Sequence, residues 1–318
     1  MRERFSTEAT DLNNQAPNRK KRESKYYWDE MYKLISAAGF SYMEVPYEGK
    51  WDFGGRSGIP RTLRSIRIKF GSMENYRKVL AKAGIAGISS VHMDPSLFCS
   101  GVMEMYFGAF GHYAEEAIEF AGQAEAESIT FTATPCIHAV HALMKDRAQT
   151  TEAGDALFLE KTKELIGSLA ARADKAGVKL CLKNEYWGLL RGEAIVPFVK
   201  EFSGKVYLDV DTAHLQIAGV DVKKFIVENK DLIGTVHFTD TSFVDEQDAY
   251  LQALPEYPAK AAAKVFCDLG EGTVDFAGIR DLLEENGYGG QIICLCKDSY
   301  DVSRSLLRSR YVMNSLSK

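Results

Sequence analysis

Val178-Lys-Leu-Cys-Leu-Lys-Asn-Glu185, Val206-Tyr-Leu-Asp-Val-Asp-Thr-Ala-His214 and Ile233-Gly-Thr-Val-His-Phe-Thr-Asp240 are three successive segments, each apolar in its body and ionisable at its end. Apolar runs of this length, rich in Val, Leu and Ile and bounded by polar residues, read as buried strands. In a parallel sheet the C-terminal strand ends all lie on one side, so Glu185, Asp211 and His237 are expected to converge there. Two carboxylates and an imidazole make a nest for a divalent cation, and oxygen-rich ligation favours manganese or magnesium over zinc. Each residue also has a plainer reading. Lys183 and Glu185 form a simple ion pair, Asp211 caps the following turn, or His237 is a hydrogen-bonded core histidine.

Outward from this stretch, strands and amphipathic segments alternate. The expected strands are Arg4 to Asp11, Phe40 to Pro46 (carrying Glu44), Gly87 to Met93, Ser128 to Thr134, the three above, and Gln291 to Cys296. Helical spacing of apolar residues marks Lys25 to Ala38, Ser72 to Ala83, Tyr113 to Ala126, Ala153 to Ala176, Gly192 to Phe202, Val222 to Asn229, Phe276 to Asn286 and Asp301 to Leu316. Eight strand–helix units predict an α/β fold, a (β/α)8 TIM barrel, as one domain over residues 1–318 with long loops at about 45–71 and 241–267. A doubly wound open sheet is the rival. It lacks its phosphate loop here, since Gly270-Glu-Gly272 has no third glycine and comes late in the chain.

Composition narrows the function classes. A net charge of −5 argues against a general binder of nucleic acid, which needs a basic field. The six cysteines lie scattered with no C-x-x-C pair, which suits a reducing compartment. The chain opens without the apolar core of a signal peptide and holds no membrane-length apolar run, so a cytoplasmic protein with no membrane partner is expected.

Further candidates surround the strand ends. Side-chain alternation puts Lys183 and Glu185 on one face and Asn184 on the other. His138 and His141 follow the fourth strand at i, i+3, as bases or substrate contacts. Trp187 and Arg191 offer an aromatic floor and a guanidinium for a polyhydroxylated ring or an aromatic aglycone, and Glu44 is a further substrate contact. In the loop at 45–71, Trp51, Arg56, Arg61 and Arg64 either cover a polar ligand or belong to a solvated surface excursion.

Asp211-Thr-Ala-His214-Leu with Ile-Ala-Gly219, Val236-His-Phe-Thr-Asp240, Leu269-Gly-Glu-Gly-Thr-Val-Asp-Phe276 and Gly287-Tyr-Gly-Gly290 together resemble the xylose-isomerase-like superfamily of sugar phosphate isomerases and epimerases. That resemblance covers nearly the whole chain. It implies a TIM barrel and a manganese-type ion held by glutamate, aspartate, histidine and a second glutamate from strands five to eight. Asp211 and His237 fall on the aspartate and histidine, and His214 on a substrate contact. The first glutamate aligns nearer Lys183 than Glu185, and the last near Leu295, before Cys296 and Lys297. Glu185 is then the substitute first ligand, and water, Asp298 or nothing the fourth.

Within the superfamily, Lys183-Asn-Glu-Tyr-Trp187 and the long second loop are most similar to the large subunits of bacterial C-glycoside deglycosidases. This narrower resemblance implies a metal-dependent lyase, a small β-rich partner subunit and a hetero-oligomer. Its substrate is a 3-oxo-C-glucoside of a flavonoid, whose carbon–carbon bond breaks after proton abstraction next to the ketone. Lys183, His138, His141 and His214 are the candidate bases, and Mn²⁺ the Lewis acid. A keto-sugar isomerase or epimerase shares the first half of that chemistry and is the alternative. A non-catalytic barrel subunit is the second, and a metal-dependent endonuclease is disfavoured by the acidic balance.

Overall fold

In the computed structural model, eight parallel strands close on themselves in chain order. They are β1 Phe5–Glu8, β2 Tyr42–Pro46, β3 Gly87–Met93, β4 Ser128–Thr132, β5 Lys179–Lys183, β6 Val206–Asp211, β7 Ile233–Phe238 and β8 Ile292–Cys294. The barrel forms through β1, which pairs with β2 on one side and β8 on the other. The structure describes residues 5–8, 23–49, 59–99, 101–144, 151–257, 264–294, 299 and 301–316. Leu295, Cys296, Lys297, Asp298, Trp51 and Arg56 lie outside them.

The helices cover the barrel because each buries one apolar face on the strands. Helix Lys25–Ala37 buries Trp28, Tyr32 and Ile35. Helix Thr151–Lys175 buries Phe158, Ile166, Leu169 and Ala173, and packs on helix Met103–Ala124. The latter starts ten residues before the expected Tyr113, running through Gly108 and Gly111. Glycine disfavours a helix interior by about 1 kcal/mol. Gly111 nevertheless suits this place, since a Cβ there would stand 3.3 Å from Leu165 of the packed helix.

The expected loop at 45–71 contains a helix, Leu63–Phe70. Thr62 and Ser65 cap its start reciprocally, and Leu63 and Ile66 face inward. Arg61 is buried here rather than offered to a ligand. Its Nη1 lies 2.8 Å from Glu48 Oε1 and its guanidinium 5.6 Å from the Trp28 ring.

Register decides what meets inside the barrel. Lys183 stands opposite Asp209 on β6, and Asp211 opposite His237 on β7. Side chains alternate along each strand, so Lys183, Asp209, Asp211, Thr235 and His237 all turn inward and stack in layers. One lower layer is polar but neutral. Thr235 Oγ1 donates to Ser128 Oγ across the lumen at 2.9 Å and lies 3.7 Å from Cys181 Sγ. Cys99, Cys136, Cys181, Cys267 and Cys294 are all free thiols, as the sequence leads one to expect. Among the described residues no helix is long and apolar enough to cross a membrane.

Candidate functional site

Strand β5 ends by sending two charges in opposite directions. Lys183 leans toward β6, where its Nζ lies 3.1 Å from Asp211 Oδ2; the two side chains are 1% and 0% exposed. A turn follows at once, with the Glu185 N–H donating to the Lys183 carbonyl at 3.1 Å. Glu185 thereby faces β4 and accepts from Thr132 Oγ1 at 3.4 Å, while staying half-buried at the rim. Thr132 spends its only proton on Glu185, so His92 Nε2, 3.3 Å from Thr132 Oγ1, is the donor of that contact. His92, Thr132 and Glu185 thus form a row along the ends of β3, β4 and β5.

Asn184 explains why the strand ends so sharply. Its Oδ1 accepts from the Asp211 N–H at 2.7 Å and its Nδ2 donates to the Asp211 carbonyl at 3.1 Å. This two-point clamp continues the β5–β6 ladder through a side chain. Asp211 is the N-cap of helix Thr212–Ile217, accepting from the His214 N–H at 3.2 Å and from the Thr239 hydroxyl on the same Oδ1. The plain reading of Asp211 as a cap therefore holds together with its ion pair.

His214 is fully buried, and its Nδ1 accepts from the Tyr186 N–H at 3.1 Å. In the neutral ring the proton is thereby placed on Nε2. Trp187 and Phe266 flank this ring edge-on at 5.9 and 5.2 Å. Arg191 stacks 3.7 Å from the Tyr250 ring, and Tyr186 donates its hydroxyl to Asp245 Oδ2 at 3.1 Å. The segment after β7 is thus pinned onto the β5 turn as a cover over His214. Trp187, 2% exposed, is part of that cover rather than an open floor.

Beneath this lies a second charged group. His237 Nδ1 is 2.7 Å from Asp209 Oδ1 and its Nε2 is 2.9 Å from Glu44 Oε1, with His237 and Glu44 both 0% exposed. Burial on its own lowers the His237 pKa, but the carboxylates of Asp209 and Glu44 outweigh it and push the imidazole up to about 10. For Glu44 burial raises the pKa, yet the facing His237, with His92 and Lys183 further off, brings it down to about 2. Glu44 is thus a partner of His237 across the lumen, not an open substrate contact.

The expected three-ligand nest is not assembled. Glu185 turns to β4, Asp211 to Lys183, and both His237 nitrogens face carboxylates. Among the described residues no three His, Cys, Asp or Glu side chains are grouped so as to hold a metal ion. His138 is exposed, and His141 lies 3.0 Å from Asp155 on the following helix, so neither is gathered with the strand-end charges. Asp240 is likewise occupied. Its carboxylate accepts the N–H groups of Gly270, Gly272 and Val274 at 2.8 to 3.2 Å, and a Cβ on Gly272 would come within 2.2 Å of it. The Leu269-Gly-Glu-Gly-Thr-Val stretch is therefore a backbone cradle for Asp240. Asp209, Thr132 and His92 are the contributors that sequence reasoning missed as site residues. Inward alternation along β6, β4 and β3 was the available signal.

A family model of the xylose isomerase-like TIM barrel matches residues 32–309. The chain belongs to that family. Its fold is shared with the probable 3-DHS dehydratase of petrobactin synthesis from Bacillus anthracis, at TM-score 0.67 and 12% identity, covering 98% of each chain. A D-tagatose 3-epimerase-like protein superposes at TM-score 0.65 with 17% identity over 99% of this chain and 97% of that one. A xylose isomerase-like barrel from Mycobacterium smegmatis in complex with magnesium does so at 0.66 and 19%, over 99% and 97%. Comparison with curated proteins finds no match. At 12 to 19% identity, what these structures share with the chain is the fold.

Proposed function

We propose that this protein moves a proton on the carbon next to the carbonyl of a keto-sugar, as an isomerase or epimerase. The observation that carries the reading is the parting of charges at the end of β5. A half-buried carboxylate, Glu185, stands two residues from a buried ammonium, Lys183, at the mouth where barrel enzymes place their chemistry. An ammonium facing Asp211 is a positive charge and a proton donor, so Lys183 is not the base that its sequence position suggested. Glu185 takes that role.

Glu185 removes the proton from the α-carbon, and the electron pair moves onto the carbonyl oxygen to give an enediolate. The Lys183 charge stabilises that oxygen. Return of the proton to the neighbouring carbon, with transfer of the hydroxyl proton from one oxygen of the enediolate to the other, gives the isomer, and return of a proton to the opposite face of the same carbon gives the epimer. The neutral His214, with Nε2 protonated, supplies a donor beside the same strand ends.

The lyase reading on 3-oxo-C-glucosides shares the first step and differs in expelling an aryl carbon. It rests, with the small β-rich partner and hetero-oligomer, on the narrower sequence resemblance. A divalent cation enters through the magnesium in complex with one similar structure, and Mn²⁺ through the sequence resemblance. The donors do not fit one, since among the described residues no three His, Cys, Asp or Glu side chains are grouped to hold it. The test is incubation with a panel of ketoses in D₂O, alongside a 3-oxo-C-glucoside. Deuterium at the α-carbon with a new isomer is expected. Aglycone release without isomer would replace this reading by the lyase, and no exchange with any sugar would leave a non-catalytic barrel.

A further inference from the structure

We infer that Lys183 is the cation of this site: its ammonium holds the strand-end carboxylate Asp211 in place of a divalent metal ion. This rests on the proposed reading only for its catalytic consequence. The structural part stands on the ion pair itself.

Both expected ligands at these strand ends are already engaged. Asp211 has two oxygens. Oδ1 already accepts from the His214 N–H and the Thr239 hydroxyl, and Oδ2 faces Lys183 Nζ at 3.1 Å. His237, the other expected ligand, would have to give up Asp209 at 2.7 Å or Glu44 at 2.9 Å before a nitrogen could reach a metal. Doing so would bare a carboxylate inside the barrel, which is strongly unfavourable. Glu185 is turned to the opposite side of β5, toward Thr132. A divalent cation at Asp211 would also stand against the Lys183 ammonium, and like charges at that range inside a protein repel strongly.

Charge accounts for why a lysine can serve. A single ammonium on a buried stem gives one fixed positive charge and three N–H donors, enough for one carboxylate and a developing enediolate oxygen. Unlike a bound ion, it cannot be removed by dialysis. The site is therefore predicted to work in the presence of a chelator.

The experiment separates this from the keto-sugar reading by using metal content and thermal unfolding rather than turnover. Wild-type protein, dialysed against EDTA, is titrated with Mn²⁺, Mg²⁺ and Zn²⁺ by calorimetry and analysed for bound metal. No stoichiometric cation and no shift in unfolding temperature are expected. Lys183→Met should melt lower than wild type, because Asp211 is left buried without its charge. Lys183→Met with Asp211→Asn should recover part of that loss. One equivalent of metal in the wild type, lost in Asp211→Asn, would overturn the inference. So would a Lys183→Met protein that melts at the wild-type temperature. Should Lys183→Met not fold, the wild-type titration decides alone. Either overturning result leaves the ketose panel to be judged separately.

Discussion

Two charged groups lie in the same barrel mouth and answer to different demands. Glu44, His237 and Asp209 come from β2, β7 and β6 and meet in the lumen, each charge spoken for by another. Lys183 and Asp211 sit beside the rim, where Glu185, His92 and Thr132 remain half-buried or border on half-buried neighbours. The first group ties opposite walls together, since His237 and Glu44 are 193 positions apart in sequence. The second pair is itself buried, and the half-buried Glu185 follows it two residues on. Both groups are buried ion pairs, and what distinguishes them is whether a further ionisable side chain beside the pair reaches the rim.

The comparison breaks most severely at His237. His237→Ala leaves two carboxylates inside the barrel with no cation between them, and should cost about 3–5 kcal/mol of stability. Urea unfolding reads this directly as a lower midpoint. A midpoint near that of the wild type would show that the fastener reading is wrong. Glu185→Gln should do the reverse. It keeps the Thr132 contact and changes stability by under about 1 kcal/mol, while isotope exchange into the ketose falls by about 10²–10⁴. A variant that exchanges at the wild-type rate would move the base elsewhere, with His92 the first place to look.

The pH dependence of stability sharpens the same contrast. His237 has a folded pKa raised from 6.5 to about 10, so the folded protein binds more protons than the unfolded chain between those values. Its stabilisation is complete below 6.5 and is lost as pH rises through 10. Glu44 has a folded pKa lowered from 4.5 to about 2, so its contribution is present above 4.5 and is lost as pH falls toward 2. Unfolding followed against pH should therefore decline on both flanks. In Glu44→Gln the acid flank should flatten, and the alkaline flank should move to lower pH as His237 loses one carboxylate. An unchanged alkaline flank would mean that Glu44 and His237 do not share the interaction.

How much of this was legible depends on distance along the chain. Gly87–Met93 is read to the residue, and the segment expected from Val206 is a strand as far as Asp211, its end turning helical at Thr212. The eight-strand barrel follows from their alternation with helices. Helix Leu63–Phe70 is missed because eight residues carry little periodicity and its reciprocal cap uses Ser65 where Glu or Gln is the usual signal. The site is legible as a location and not as a wiring diagram. That Lys183, Asp211 and His237 gather at strand ends follows from parallel topology, but which group each one bonds is set by register and by a turn. The register puts Asp209 beside Lys183 and lets His237 reach it, and the Asn184 clamp turns Glu185 toward β4. None of these is written in local composition.

The smallest expected effect belongs to the pair of histidines that sequence alone places beside the site. His138 and His141 share helix Ile137–Leu143, yet His138 is exposed and His141 Nε2 faces Asp155 Oδ1 at 3.0 Å, with side chains 37% and 28% exposed. A contact this open to water is worth about 0–1 kcal/mol. His141→Ala should therefore lower stability by no more than that, and His138→Ala by less than about 0.5 kcal/mol. Neither should change the rate of exchange into a ketose by more than about twofold, far less than general acid–base catalysis contributes. Measured beside Glu185→Gln under the same conditions, these variants test whether chemistry is confined to the ends of β3 to β6. A tenfold loss in His138→Ala would carry the reactive region outward onto the helix after β4, and would reopen the proposed choice of Glu185 as base.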